Sequence, residues 1–287
     1  MEQESAILDD NTEQILEGIC IPPCPAILTK LMQEMRSDDP DFPKISKLIS
    51  TDASMAAAML KTVNSPFYGL RSPATSVQQA TALLGLRSVA QLVTGLLLRN
   101  AFSSGSSELM DEYWESSSTI AQISAVLARQ IKGVDRDEAY TFALFRDCGM
   151  LAMMERYPDY KPLFPGDATK DRVSVTALEN ERYKTDHAQI GHHLARAWLL
   201  PEDICQSVLW HHDYAVLQSG QAGVKNKCSR YIALVLMAEW MFVKHTMGIE
   251  SEEWQKGRDF ALDLLGLSDD DLVQELVQME KIAGIFE

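Results

Sequence analysis

The chain has 287 residues, enough to bury about three-quarters of its unfolded surface without disulfides or a structural metal. Its 46% hydrophobic and 23% charged content is that of an ordinary globular protein and excludes wholesale disorder. Its 41 acidic residues outweigh 26 basic ones, for a formal charge of -15, and the basic residues are scattered, which argues against a polyphosphate backbone and predicts no nucleic-acid partner.

The first residues, M-E-Q-E-S-A-I-L-D-D, are acidic and lack the basic-then-apolar layout of a secretory leader. The longest apolar stretches fall short of the roughly 18 residues a membrane span needs. Cysteines at 20, 24, 148, 205 and 228 form no C-x-x-C pair, as expected of buried, reduced thiols in a cytoplasmic protein.

Apolar residues recur at helical spacing, as in Ile27, Leu31 and Met35, or Val89, Val93, Leu96 and Leu97, while strand-like alternation is scarce. The pattern predicts an all-α fold of many short helices. Pro25, Pro43 and Pro201 suit first helical turns, Asp52, Ser76 and Asp186 suit N-caps, and Gly85 and Gly133 suit C-terminal stops. Ser103 to Ser107, S-S-G-S-S, reads as a joint between helical halves 16–102 and 109–247. Ala215 to Lys227 reads as irregular, and residues 248–287 as an extension of two amphipathic helices, the second opened by S-D-D-D.

Several polar residues fall where the pattern is apolar. Asp147 lies in F-A-L-F-R-D-C-G-M-L and Glu239 in A-L-V-L-M-A-E-W, so both carboxylates are expected to be buried and in need of partners. Arg146 is adjacent to Asp147, but consecutive helical residues point about 100° apart, so their pairing does not follow from spacing. His211 and His212 follow Ile204 and Val208 at spacings that turn at least one imidazole inward, and His187 opens a helix with the inner stripe Ile190, Leu194 and Trp198. This convergence fits either a metal site or a hydrogen-bonded polar network.

Four ordered stretches carry a family resemblance: I-P-P-C-P-A-I-L-T-K-L, I-S-T-D-A-S-M-A-A-A-M-L-K-T-V-N-S-P-F-Y-G, S-V-Q-Q-A-T-A-L-L-G-L-R-S-V, and W-L-L-P-E-D-I-C-Q-S-V-L-W-H-H. Together, from Ile21 to His212, they resemble the HDOD domain, the HD-related output domain. The resemblance implies a multi-helix HD-like bundle with an N-terminal helical subdomain over 16–247. It also implies a kinship with HD metal-dependent phosphohydrolases and a non-catalytic role in bacterial signal transduction. Set against catalytic HD enzymes, the histidine-aspartate pair falls on Arg146 and Asp147, and an earlier ligand histidine on Ser116. The later histidines match His187, His211 and His212, and the final aspartate matches Glu239. The resemblance therefore implies a relic of a metal site, with two imidazoles lost and a guanidinium in one vacancy. Asn64, Ser65, Tyr68 and Gly69 belong to the family's N-S-P-F-Y-G motif, for which turn formation around Pro66 is the expected role.

These readings converge on a non-enzymatic, cytoplasmic signalling module without a metal or cofactor, neither nucleic-acid-binding nor membrane-bound. Its expected partner is another signalling protein, with a small ligand in the relic pocket as the alternative occupant. The rival is a phosphohydrolase or phosphodiesterase with a thinned site, in which Asp147, His187, His211, His212 and Glu239 hold one ion that activates water.

Overall fold

The computed structural model describes residues 18–37, 40–102, 108–163, 174–219, 223, 226–272 and 274, and among them the chain is helical with no strand. The N-terminal half contains α1 (Ala26–Met35), α2 (Phe42–Ser50), α3 (Ala53–Val63), a 3-10 turn (Pro66–Tyr68), α4 (Val77–Leu84) and α5 (Leu86–Ala101). The second half contains α6 (Glu108–Leu127), α7 (Arg136–Phe145), α8 (Cys148–Arg156), α9 (Val175–Tyr183), α10 (His187–Ala197), α11 (Glu202–Trp210), α12 (Tyr214–Ser219) and α13 (Asn226–Met247). Helix α14 (Glu252–Leu265) follows.

Start signals act where the sequence places them. Asp52, Ser76 and Asp186 accept from the backbone N–H groups of Met55, Gln79 and Gln189 at 3.0, 3.1 and 2.9 Å, satisfying donors that a helix start leaves unpaired. Asn64 closes the turn after α3 by a reciprocal pair with Ala74, its Nδ2 donating to the carbonyl at 2.9 Å and its Oδ1 accepting from the N–H at 2.7 Å. Within that turn the Tyr68 N–H donates to the Ser65 carbonyl at 3.2 Å, Gly69 takes φ 58°, and Phe67 lies under Arg136 of α7 at 5.5 Å. The motif is thus a structural joint that also touches the second half.

The halves share one hydrophobic core. Helix α5 packs on α7, where Arg87 meets Glu138 at 2.7 Å and Ser88 donates to Asp137 at 3.0 Å. The joint at 103–107 lies outside the described residues. In the stretch 215–227, expected to be irregular, α12 covers 215–219 and α13 covers 226–227, while 220–222, 224 and 225 lie outside the described residues. Buried Tyr214, packed on Phe260 at 5.5 Å, anchors that short helix. The described part of the extension belongs to the main core, with Trp254, Phe260 and Leu265 buried and Trp254 stacked on Trp240 at 5.1 Å. Ser268 and Asp271 cap each other's backbone, as the S-D-D-D stretch predicts.

Candidate functional site

The site is assembled where α7 gives way to α8. Asp147 is the N-cap of α8, yet its side chain caps no backbone N–H, which leaves both oxygens to face the interior. Helix α10 lies against this point because Gly149 and Gly191 meet without side chains. A Cβ built on Gly149 would stand 2.0 Å from the His187 carbonyl oxygen, and one on Gly191 would stand 3.3 Å from the Gly149 nitrogen. That approach sets His187, the first residue of α10, beside Asp147. His211 ends α11 and His212 follows it, so the doublet closes the cluster from a third helix.

Each imidazole is oriented by an outward hydrogen bond from Nδ1. His187 Nδ1 lies 2.7 Å from Glu179 Oε2, His211 Nδ1 lies 2.7 Å from the Val208 carbonyl, and His212 Nδ1 lies 2.7 Å from Glu253 Oε1. Those partners only accept, so the hydrogen-bond network assigns the proton to Nδ1 in all three rings. Three Nε2 atoms then converge. His187 Nε2 is 3.1 Å from His212 Nε2 and 3.4 Å from His211 Nε2, while Asp147 Oδ1 is 3.2 Å from His211 Nε2 and 3.7 Å from His187 Nε2. Four ligand atoms lie within 4.8 Å of one another.

Four acceptors so placed require positive charge between them. For bonds of about 2.0–2.1 Å, a tetrahedral ion sets its ligand atoms about 3.3 Å apart, so the residues present fit one divalent transition ion held by Asp147, His187, His211 and His212. Outward acceptors on every ring are also what fixes imidazole ligands. Protons are the alternative. Burial pulls His212 down, but Glu253 lifts it to about 9, so a proton on its Nε2 can donate to His187. Burial and the neighbouring His212 press His211 to about 4. The His211–Asp147 contact is favourable only with a proton or cation between them. We assign the low carboxylate range of Asp147 mainly to Arg146, acting against burial.

Arg146 points inward. Its side chain is 4% exposed, with Nε 3.0 Å from Asp147 Oδ2, Nη2 3.5 Å from Glu239 Oε2, and Nη1 donating to the Ala143 carbonyl at 3.0 Å. Burial nevertheless raises Glu239 to about 7. The cavity bounded by Arg146, Asp147, His211, His212, Glu239 and Glu253 holds about 20 Å³, room for one water or ion.

Six of the seven residues assigned to the relic pocket come together, and Ser116 does not. Its hydroxyl turns back on α6, donating toward the carbonyls of Glu112 and Tyr113 at 2.9 and 3.1 Å, and it does not line the cavity. A short side chain one turn off the facing position bonds its own helix instead. On the preceding turn of α6, burial pushes the Tyr113 hydroxyl well up, with Cys148 and Asp147 adding to the shift and Arg146 opposing it. His192 Nδ1 donates to the Cys205 carbonyl at 2.9 Å, outside the cluster. Two carboxylates that spacing gave no reason to single out complete the surroundings. Glu179 also accepts from the Tyr160 hydroxyl at 2.6 Å, and Glu253 from the Tyr214 hydroxyl at 2.7 Å.

Comparison with known proteins fits this picture. Solved structures of similar fold include an HDOD domain protein with unknown function from Geobacter sulfurreducens (20% identical, 95% of each chain covered, TM-score 0.67). Two more are a protein provisionally named a phosphohydrolase from Shewanella amazonensis SB2B (20%, 92% of each chain, 0.69) and one provisionally named a signal transduction protein from Marinobacter aquaeolei VT8 (19%, 96% of this chain and 61% of that one, 0.67). A curated relative from Treponema pallidum (strain Nichols), named only as an uncharacterized protein, is 23% identical over 198 residues, which span 67% of this chain and 38% of that relative's length. The family model described as HDOD domain matches residues 21–214, and the chain belongs to that family.

Proposed function

We propose that this chain is a non-catalytic signal-transduction output module that acts by binding a partner protein. The observation that carries the reading is the inward seat of Arg146. A catalytic ion needs protein ligands and an open position for water or substrate. Here a permanent cation covers Asp147 Oδ2 and Glu239, and the free space admits a single water or ion. A phosphoester would have to displace that guanidinium to reach the cluster. The same small volume favours a partner protein over an organic ligand as what the module binds.

A second reading concerns the cluster, and the convergence of three Nε2 atoms on Asp147 Oδ1 favours it. One zinc or similar ion, closed off by four protein ligands, would stiffen the junction of α8, α10 and α11 without activating water. Zinc titration of metal-free protein, read by melting temperature together with phosphomonoester hydrolysis, tests both readings. Stabilisation without turnover supports both. No stabilisation and no turnover leaves a proton-filled cluster in a binding module, and turnover overturns the non-catalytic reading.

A further inference from the structure

The family match ends at residue 214, but a side chain that holds one of the cluster's imidazoles lies beyond it. Helix α14 reaches it from outside that segment. Gly257 brings α14 close enough that a Cβ there would stand 2.4 Å from Leu236 and 2.9 Å from the Tyr214 ring. Trp254 is buried and stacked on Trp240 of α13, fixing the rotation of α14. One turn before Gly257, on the same face, Glu253 is thereby aimed at His212. It accepts from His212 Nδ1 and the Tyr214 hydroxyl, both at 2.7 Å, and lies 3.7 Å from Lys256. Glu253 and Glu179 are the carboxylates that hold the outward nitrogens of His212 and His187.

We propose that Glu253 is a positioning residue of the cluster, supplied by the C-terminal extension, so that the docking of α14 and the filling of the cluster are coupled. With Nδ1–H held by Glu253, the lone pair of His212 Nε2 is presented to the other three ligand atoms. Without it the ring is free to turn or to exchange its tautomer, and the fourth ligand is lost. By linkage, whatever cation fills the cluster holds α14 down, and release of α14 loosens the cation.

The affinity arm of the test rests on the reading of the cluster as an ion seat, while the ring-nitrogen arm does not. Cobalt(II) is titrated into metal-free protein and followed by its ligand-field absorption. Glu253→Ala is expected to weaken binding about 10- to 100-fold, the usual effect of removing such a partner. Glu253→Gln keeps an acceptor for Nδ1–H and should recover most of the affinity. Ser251→Ala removes the hydroxyl that caps α14 without touching His212 and should leave the affinity nearly as it is. Amide exchange across Glu252–Leu265 should slow when cobalt is added to wild type and stay unchanged in Glu253→Ala. If Glu253→Ala binds cobalt like wild type, the proposal is overturned. If wild type binds none, the ion-seat reading fails by itself, and long-range nitrogen–proton correlations of the His212 ring decide. A protected Nδ1–H lost in Glu253→Ala supports the proposal, and an unchanged ring overturns it.

Discussion

Arg146 and Asp147, neighbours in sequence, meet through Nε and Oδ2 at 3.0 Å, while Oδ1 of the same carboxylate faces His211 and His187. The break between α7 and α8 makes this geometry available, since within a continuous helix the two side chains would diverge. Asp147 thus divides its oxygens between a fixed cation and a cluster that needs one.

Removing the guanidinium should be costly. Arg146→Ala strands Asp147 and Glu239 in a buried setting, for which a loss of about 3 to 5 kcal/mol is usual when both stay charged. Glu239, raised to about 7 by burial, can take up a proton instead, so the lower end of that range is expected. Urea unfolding at neutral pH checks it. A loss below about 1 kcal/mol, typical of a solvated residue, would contradict the inward role.

The glycine contact between α8 and α10 should be equally intolerant. Gly149→Ala drives a methyl group into the His187 carbonyl, and overpacking of this kind costs about 1 to 3 kcal/mol. Because the strain falls on the first turn of α10, the His187 ring should also leave its register. A crystal structure of a variant with His187 Nε2 undisplaced would contradict this.

Stability of the metal-free protein should decline on the alkaline side. His212, lifted to about 9 by Glu253 against burial, contributes fully below its unfolded value of about 6.5 and loses that contribution as pH rises through 9. Glu239, raised to about 7 by burial, contributes in the same direction and is spent by about pH 7. On the acid side His211, held to about 4 by burial, costs stability as pH falls from about 6.5. Below 4.5 the loss of Glu253, which burial raises but His212 holds to about 2, adds to it. Between those limits the Glu239 and His211 contributions oppose each other, so melting temperatures measured with a chelator should be highest from about pH 4.5 to 6.5 and fall above it, and His212→Gln should flatten the alkaline limb. A wild-type curve level from pH 7 to 9 would contradict the His212–Glu253 pair.

With its net charge of -15, the protein should leave duplex DNA unshifted in a gel assay even at low salt, where phosphate contacts are strongest. Micromolar, salt-sensitive binding would contradict that expectation.

The architecture was legible because it rests on local rules. Asp52, Ser76 and Asp186 announce helix starts, and the apolar period announces their inner faces. The cluster was legible only in part. Asp147, His187, His211, His212 and Glu239 stood out as polar residues in apolar helical patterns and again at motif positions, and the inward turn of Arg146 could not be read because it depends on the break at Asp147. Ser116 sits on the expected helix, but its short hydroxyl bonds the carbonyls of its own preceding turn and does not reach the cavity. Glu179 and Glu253 left no local signal. Each is an ordinary helical glutamate in sequence; Glu253 reaches His212 because Gly257 lets α14 approach, and Glu179 reaches His187 across the turn at Lys184 that folds α9 back on α10.

The central claim is that Arg146 and the closed cluster make this an output module and not a hydrolase. The most direct measurement is turnover of phosphomonoesters and cyclic dinucleotides by protein supplied in turn with manganese and zinc, beside Asp147→Ala prepared identically. The account predicts that wild type and variant are indistinguishable from background. Metal-dependent turnover by wild type that disappears in Asp147→Ala would contradict it.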